Sequence, residues 1–355
     1  MPSHFPFRNL VFQGGGVKAF AYHGVLPVLE KFDILPNIQR VAGSSAGALL
    51  ATLLSFRLNA EKTIELYKTV DYTKVAQARE DTEIPAHLPK LLERELMRLR
   101  GGMEIASRFL RRYGLYANDY AQEWLMDTIA SFCDGNGRAT FTDFQTLGYR
   151  DVHIVSTNIS THKAEVLSVD TTPDVAVADA VLLSSSIPFF FEAPKFDGKQ
   201  LGEGDFYTDG GVLSNYPLHI FDHPRYEKDN RHFEHGINWE TLGCRLYTPE
   251  DCQPQHEPIL HIIDYIENLF ETLVEIQEVS FENRFVDQLR TINISNCGVK
   301  TTDFKINPDT ADPRYTQLVQ SGETATREYL ENYKRSTDRL FDIKEKLAGL
   351  LNLWD

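Results

Sequence analysis

Apolar and polar positions in this chain repeatedly switch from a strand-like run to a helical period. Residues 9–13 form a short apolar run that ends in Gly14, Gly15 and Gly16, after which Val17, Ala21, Val25, Val28, Leu29 and Phe32 recur at helical spacing. Residues 38–42 read as a second strand, and residues 46–58 as a helix apolar nearly all round, hence buried. Two strand-to-helix units in the first sixty residues predict an α/β fold, a parallel sheet with helices packed on it.

From about residue 59 to 148 Lys, Arg, Glu and Tyr mix with leucines, and the pattern predicts a mainly helical insertion. Leu88, Leu91, Leu92, Leu96 and Leu99 form one stripe and Trp124, Leu125 and Ile129 another. These are faces packed on the sheet or on each other, with a lid over the second glycine turn as the alternative. Residues 151–157 return to strand pattern with residues 165–169 as a hairpin partner. Thr172 and Pro173 read as N-cap and first helical residue ahead of a helix over 175–186, which Ile187-Pro188 ends. Phe189, Phe190 and Phe191 are a buried strand or the lining of an acyl-chain pocket.

Residues 204–211 are extended and turn sharply at Gly210-Gly211. A polar loop over about 221–258 is interrupted by a strand at 242–247; then come a helix over about 258–288, a strand at 290–294 and a helix over about 313–347. With no internal repeat and no low-complexity linker, the 355 residues read as one domain, with a core at about 9–218 and a C-terminal extension at about 219–355.

Hydrophobic residues at 42% with 25% charged residues match an ordinary soluble protein, and no run approaches the ~18 apolar residues of a membrane span. The N-terminus lacks the apolar core of an export signal, and four scattered cysteines suit reduced thiols, so a cytoplasmic location is expected. Delivery into a host cell by a route that needs no N-terminal signal stays open, as does the oligomeric state. A formal charge of −15 argues against nucleic acid and against polybasic attachment to an anionic membrane. A lipid partner would have to be met through an apolar face, in a transient contact with the membrane surface.

The candidate chemistry sits at the three glycine-marked turns. Gly43-Ser44-Ser45-Ala46-Gly47 is a G-x-S-x-G pentapeptide between a strand and a helix, which makes Ser45 the candidate nucleophile on a sharp elbow. Gly14, Gly15 and Gly16 offer backbone N–H groups at a helix start, suited to negative charge. Asp209 in Asp209-Gly210-Gly211 is the candidate base, although a D-G-G turn alone is more often structural. Together they supply what ester hydrolysis needs: a nucleophile, a base and oxyanion donors.

In this order the motifs resemble those of the patatin-like phospholipases: Gly14-Gly15-Gly16-Val17-Lys18-Ala19, then Gly43 to Gly47, then Asp209-Gly210-Gly211. Ala178-Asp179-Ala180-Val181 to Ser186-Ile187-Pro188, the pair Asn215 and Pro217, and residues 298–304 are similar to further elements of the family, bacterial members included. Ala19 departs from the usual glycine. The resemblance spans roughly residues 9–218 and implies a three-layer α/β/α sandwich with a mostly parallel sheet. It further implies a Ser45–Asp209 dyad with no histidine, an oxyanion hole at Gly15 and Gly16 with Gly14, no cofactor and no metal. The implied activity is that of a lipid acyl hydrolase, of phospholipase A or lysophospholipase type, acting on phospholipid or other acyl-lipid esters. Lys18 would bind a lipid phosphate, or be a plain surface lysine near a helix start.

Three alternatives remain at this level. A Ser-His-Asp esterase would draw on His256 or His261, which follow Asp209 in the required order. An acyltransferase would also use an elbow serine, and a noncatalytic lipid-binding module could share the fold. His219 and His223 stand four apart but lack the Glu of a zinc-binding H-E-x-x-H.

Overall fold

The computed structural model of the chain describes residues 5–75, 109–227, 232–252, 258–282, 284–309 and 311–335. The leucine stripe at 88–99, His256 and the last part of the expected 313–347 helix lie outside them.

The strands are β1 (Asn9–Phe12), β2 (Arg40–Ser44), β3 (Gly114–Tyr116), β4 (Asp151–Asn158), β5 (Lys163–Leu167) and β6 (Phe189–Phe191). They continue with β7 (Lys195–Phe196), β8 (Asp205–Asp209), β9 (Phe233–Glu234), β10 (Ile237–Asn238), β11 (Thr241–Tyr247) and β12 (Thr291–Ser295). The longer helices are α1 (Tyr22–Lys31), α2 (Ala46–Ser55), α3 (Ala60–Lys68), α4 (Asp119–Phe132), α5 (Val177–Ser184), α6 (Ile262–Glu282) and α7 (Pro313–Arg335).

The main sheet runs β12-β11-β1-β2-β4-β8-β7, with β5 also paired to β4. Strands β12, β11, β1, β2 and β4 are parallel; β5, β8 and β7 join antiparallel. Both faces of the centre are covered, which is why β1 is buried at every residue. Leu10 and Phe12 point into the main core with the helices, whereas Val11 packs with Ala42, Phe221 and Tyr226 on the other face. The result is the three-layer α/β/α architecture.

The structure differs from the sequence reading in three places. The helix expected from 175 begins at Val177, because Phe141 and Thr142 donate to the carbonyls of Val175 and Pro173 and Thr140 bridges Ala176. That pairing keeps residues 173–176 in a turn outside the helix, so Ala176 rather than Thr172 precedes its first turn. The expected 258–288 helix divides into α6 and a short turn at Phe285–Leu289, and starts only where Asp264 Oδ2 accepts the amides of Leu260 and His261. Residues beyond 219, read as an extension, supply β11, which pairs with β1, and β12 beside it.

Candidate active site

The elbow forms where β2 ends. Parallel pairing sets Ser44 opposite Val155 of β4, and antiparallel pairing sets Asp209 of β8 opposite Ser156 of the same strand. Ser45 and Asp209 thus leave strands separated by β4 alone, backbones about 10 Å apart at ordinary strand spacing. Ser45 adopts φ 52°, ψ −126°, a conformation costing about 1–3 kcal/mol outside glycine. Such strain persists only where the surroundings dictate it. Here Gly47 lets the first turn of α2 lie directly on β1, since a Cβ there would come 2.5 Å from the Phe12 carbonyl oxygen.

A serine-rich segment at the end of α5 locks the two residues together. Ser184 Oγ accepts the Ser45 N–H at 2.9 Å and donates to the Val155 carbonyl at 2.5 Å. The Ser184 and Ser186 carbonyls in turn accept the N–H groups of Gly210 (3.1 Å) and Asp209 (2.8 Å). Sequence reading found this segment only as a family-like motif; its bonds to both turns were not visible there.

Asp209 is fully buried. Its Oδ1 accepts the Gly211 N–H at 2.7 Å, while Oδ2 has no hydrogen-bond partner of ordinary geometry among the described residues. Burial pushes the carboxyl pKa up to about 7, against the lowering pull of the Ser45 hydroxyl and the Gly211 N–H. The hydroxyl is therefore close enough to act on the carboxyl; hydrogen bonds in resting sites are often long and tighten on substrate binding. A carboxyl half-ionised near neutrality is suited to take up and return a proton.

The glycine loop lies against the elbow: a Cβ on Gly14 would stand 3.0 Å from Ser45 Cβ. The Gly14 N–H, however, donates to the Asn215 carbonyl at 3.0 Å, so the expectation that it serves an oxyanion is corrected. The amides of Gly15 and Gly16 have no acceptor among the described residues. Gly16 has φ +52°, and a Cβ there would strike the Thr301 carbonyl oxygen at 2.1 Å. Asn215 Nδ2 bonds the Gly14 carbonyl at 3.3 Å, and its own N–H bonds Gln277 Oε1 of α6 at 2.8 Å. Gln277 Nε2 also reaches the Gly211 carbonyl at 2.8 Å, so one side chain fastens both ends of the 211–215 turn to α6, while Asn215 carries the link to the glycine loop. Nothing in the local sequence marks Gln277.

Lys18 is not a free cation. It is buried, and its Nζ pairs with both oxygens of Glu271 on α6 at 2.8 and 3.0 Å, with Thr301 Oγ1 donating to the same carboxylate. Burial works to raise the Glu271 pKa, yet the Lys18 charge and these hydrogen bonds hold it below its ordinary value. The surface-lysine reading of Lys18 is accordingly corrected: it is buried, its charge fastens α6 through Glu271, and it lines the cavity between α6 and the glycine loop. Lys18→Met is expected to cost roughly 2–4 kcal/mol by stranding Glu271, and Lys18→Met with Glu271→Gln should recover most of it. Denaturant midpoints of the two variants check this; equal losses would contradict it.

Helix α6 packs against the turn after Asp209. Phe270 packs on the D-G-G turn, a Cβ at Gly211 coming 3.0 Å from its ring, and Ser45 is left 5% exposed. Between α6 and the glycine loop lies a cavity of ≈ 610 Å³ reaching Gly14, Gly15, Asn215, Ile187 and Phe190. Neither Ser45 nor Asp209 lines it. Of the three phenylalanines, Phe190 meets this cavity, Phe191 is buried and Phe189 is exposed.

Among the described residues no histidine acts on Asp209. His219 is held between Asp222 (2.8 Å) and Asp287 (3.0 Å), whose hydrogen bonds raise its pKa to about 9. His223 Nδ1 accepts the Arg225 N–H, and His261 precedes α6 on an exposed turn. Among the described residues no cluster of His, Cys, Asp or Glu is arranged to hold a metal ion.

Residues 10–222, more than half of the chain, match the family described as patatin-like phospholipase. Uncharacterized protein YqhO of Bacillus subtilis strain 168 is 26% identical over 330 residues, 91% of this chain and 98% of that protein. "Probable lipid hydrolase 463L" of Invertebrate iridescent virus 6 is 24% identical over 215 residues, 60% of this chain and 63% of that protein. Among solved structures, VipD from Legionella pneumophila is similar with a TM-score of 0.55 at 19% identity, covering 93% of this chain and 67% of that one; at this identity the likeness concerns the fold. With three glycine-marked turns meeting at one end of the sheet, and the family match covering all of them, the chain belongs to the patatin-like phospholipase family.

Proposed function

We propose that this protein is a lipid acyl hydrolase that cleaves carboxylic esters of phospholipids or lysophospholipids through a Ser45–Asp209 dyad. The observation that carries the reading is the buried Asp209 carboxyl, pushed up to about 7 and acted on by the Ser45 hydroxyl. Family membership and a relative named as a lipid hydrolase support the lipid class of substrate.

In this reading Asp209 takes the Ser45 proton as Oγ attacks the acyl carbonyl. The oxyanion is held by the Gly15 and Gly16 N–H groups, which have no other acceptor among the described residues. Asp209 then protonates the leaving alcohol, and its recovered carboxylate activates the water that releases the fatty acid. Every proton is moved by one carboxyl, so no histidine enters.

Product analysis on defined phospholipids and lysophospholipids tests the reading, comparing wild type with single replacements of His219, His223, His256 and His261. Fatty acid release should survive each histidine replacement. Loss of turnover on any one of them, with folding intact, would favour the Ser-His-Asp alternative.

A further inference from the structure

We propose that Asn215 is a positioning residue for the reaction: its side-chain amide and its main-chain carbonyl clamp Gly14 and thereby fix the direction in which the Gly15 N–H points. This rests on the Ser45–Asp209 acyl-hydrolase reading above and adds the residue that aims one of its oxyanion donors.

A loop of three glycines has no side chains to hold it, and glycine enters a wide range of backbone conformations. Amides offered to an oxyanion from such a loop need their direction fixed from outside, because donors aimed in advance do not have to reorganise as the charge develops. At Gly14 one residue does this. The Gly14 N–H donates to the Asn215 carbonyl at 3.0 Å, and Asn215 Nδ2 donates to the Gly14 carbonyl at 3.3 Å. The first bond holds the peptide plane before the Gly14 α-carbon and the second holds the plane after it, so neither plane can turn freely. Among the described residues every peptide is trans, and in a trans peptide the carbonyl and the following N–H point in opposite directions. With its carbonyl drawn to Asn215, the Gly14–Gly15 peptide presents the Gly15 N–H away from that side chain, and this N–H has no acceptor among the described residues.

The amide has little room to be anywhere else. Asn215 is 4% exposed, and its Oδ1 lies 2.5 Å from where a Cβ on Gly14 would stand and 2.9 Å from where one on Gly211 would stand. It is wedged between the glycine loop and the turn that begins at Asp209, with its own N–H tied to Gln277 Oε1 at 2.8 Å. Nδ2 must be the atom that faces the Gly14 carbonyl, since two acceptor oxygens cannot pair. Alanine in this place would let the carbonyl go; aspartate, of the same shape, would set a second oxygen against it.

The test compares wild type with Asn215→Ala and Asn215→Asp, using a soluble short-chain p-nitrophenyl ester and an alkyl trifluoromethyl ketone. Ser45 Oγ adds to the ketone carbon, the carbonyl electron pair moves onto its oxygen and the hydroxyl proton passes to Asp209, so the adduct carries the oxyanion of the ester reaction without a leaving group. Circular dichroism is expected to show the fold intact in both variants. Asn215→Ala should lower kcat about 10–10²-fold, part of the ~10²–10³-fold that loss of a whole donor costs, with KM changed less than about threefold and ketone affinity weakened by a similar factor to kcat. In that variant the midpoint near 7 for fluorophosphonate labelling of Ser45 should stay in place, since Asp209 keeps the Ser45 hydroxyl and the Gly211 N–H. Asn215→Asp should lose at least as much in kcat and in ketone affinity. A merely structural role would instead raise KM or lower the fraction of sites that label, with ketone affinity per active site unchanged. Unchanged kcat, a loss of kcat without weaker ketone binding, a moved midpoint in Asn215→Ala, or failure of both variants to fold would each overturn the proposal. A wild type that neither hydrolyses the ester nor binds the ketone would sink the acyl-hydrolase reading itself, whereas an active wild type equalled by Asn215→Ala sinks the clamp alone.

Discussion

Replacing Asp209 with Asn is expected to lower kcat/KM for ester hydrolysis by about 10²–10⁴-fold and, in the same protein, to raise stability above neutral pH. In the proposed mechanism the loss follows from removing the carboxyl that takes the Ser45 proton. The gain follows from linkage. The carboxyl titrates at an ordinary 3.8 when unfolded and at about 7 when folded, so the native state holds its proton more tightly. Ionising it in the folded protein carries a penalty that is absent below 3.8, grows as pH rises towards about 7, and then stays constant. Asn escapes that penalty, worth on the order of a few kcal/mol. Denaturant midpoints across this range should show an advantage for the variant that rises with pH and levels off near 7. An advantage independent of pH would mean that burial does not strain the carboxyl.

Ser45→Ala is expected to abolish ester hydrolysis, by about 10⁴-fold or more, with secondary structure retained. The backbone at Ser45 is held by the Ser184 hydroxyl through its N–H, a bond that alanine keeps. The variant should also move Asp209. Its carboxyl would lose the lowering influence of the hydroxyl and keep only that of the Gly211 N–H, so the upper end of the pH window over which stability is lost should move to higher pH. Full turnover in the variant would refute the role assigned to Ser45; an unmoved window would mean that the hydroxyl and the carboxyl do not interact.

The parts of the site fixed by local backbone demands were legible in the sequence. A serine at an elbow needs small neighbours on both sides, a loop offering its amides needs glycines, and a carboxyl entering a sharp turn leaves an Asp-Gly-Gly signature. Each requirement acts within five residues. What was not legible depends on residues far apart in the chain. Asn9 finds Thr241 of β11 as its parallel partner, and no periodicity near either residue announces the other. Lys18 looked available because its partner, Glu271, lies on a helix whose position the sequence leaves open. The Gly14 N–H looked free for the same reason, its acceptor being the carbonyl of Asn215. The late start of α5 has a similar origin in the pairing of Thr140 with Ala176. Gln277, which fastens the turn after Asp209 to α6, is an unremarkable glutamine until α6 is in place.

The most direct measurement of the central claim is the rate at which a fluorophosphonate probe labels the protein as a function of pH, with the modified residue located by peptide mapping. Labelling at Ser45 that rises through a midpoint near 7 in the wild type, and falls to a low, pH-independent rate in Asp209→Asn, is the predicted result. Modification of a different serine, or labelling of Ser45 that is indifferent to Asp209, would contradict it.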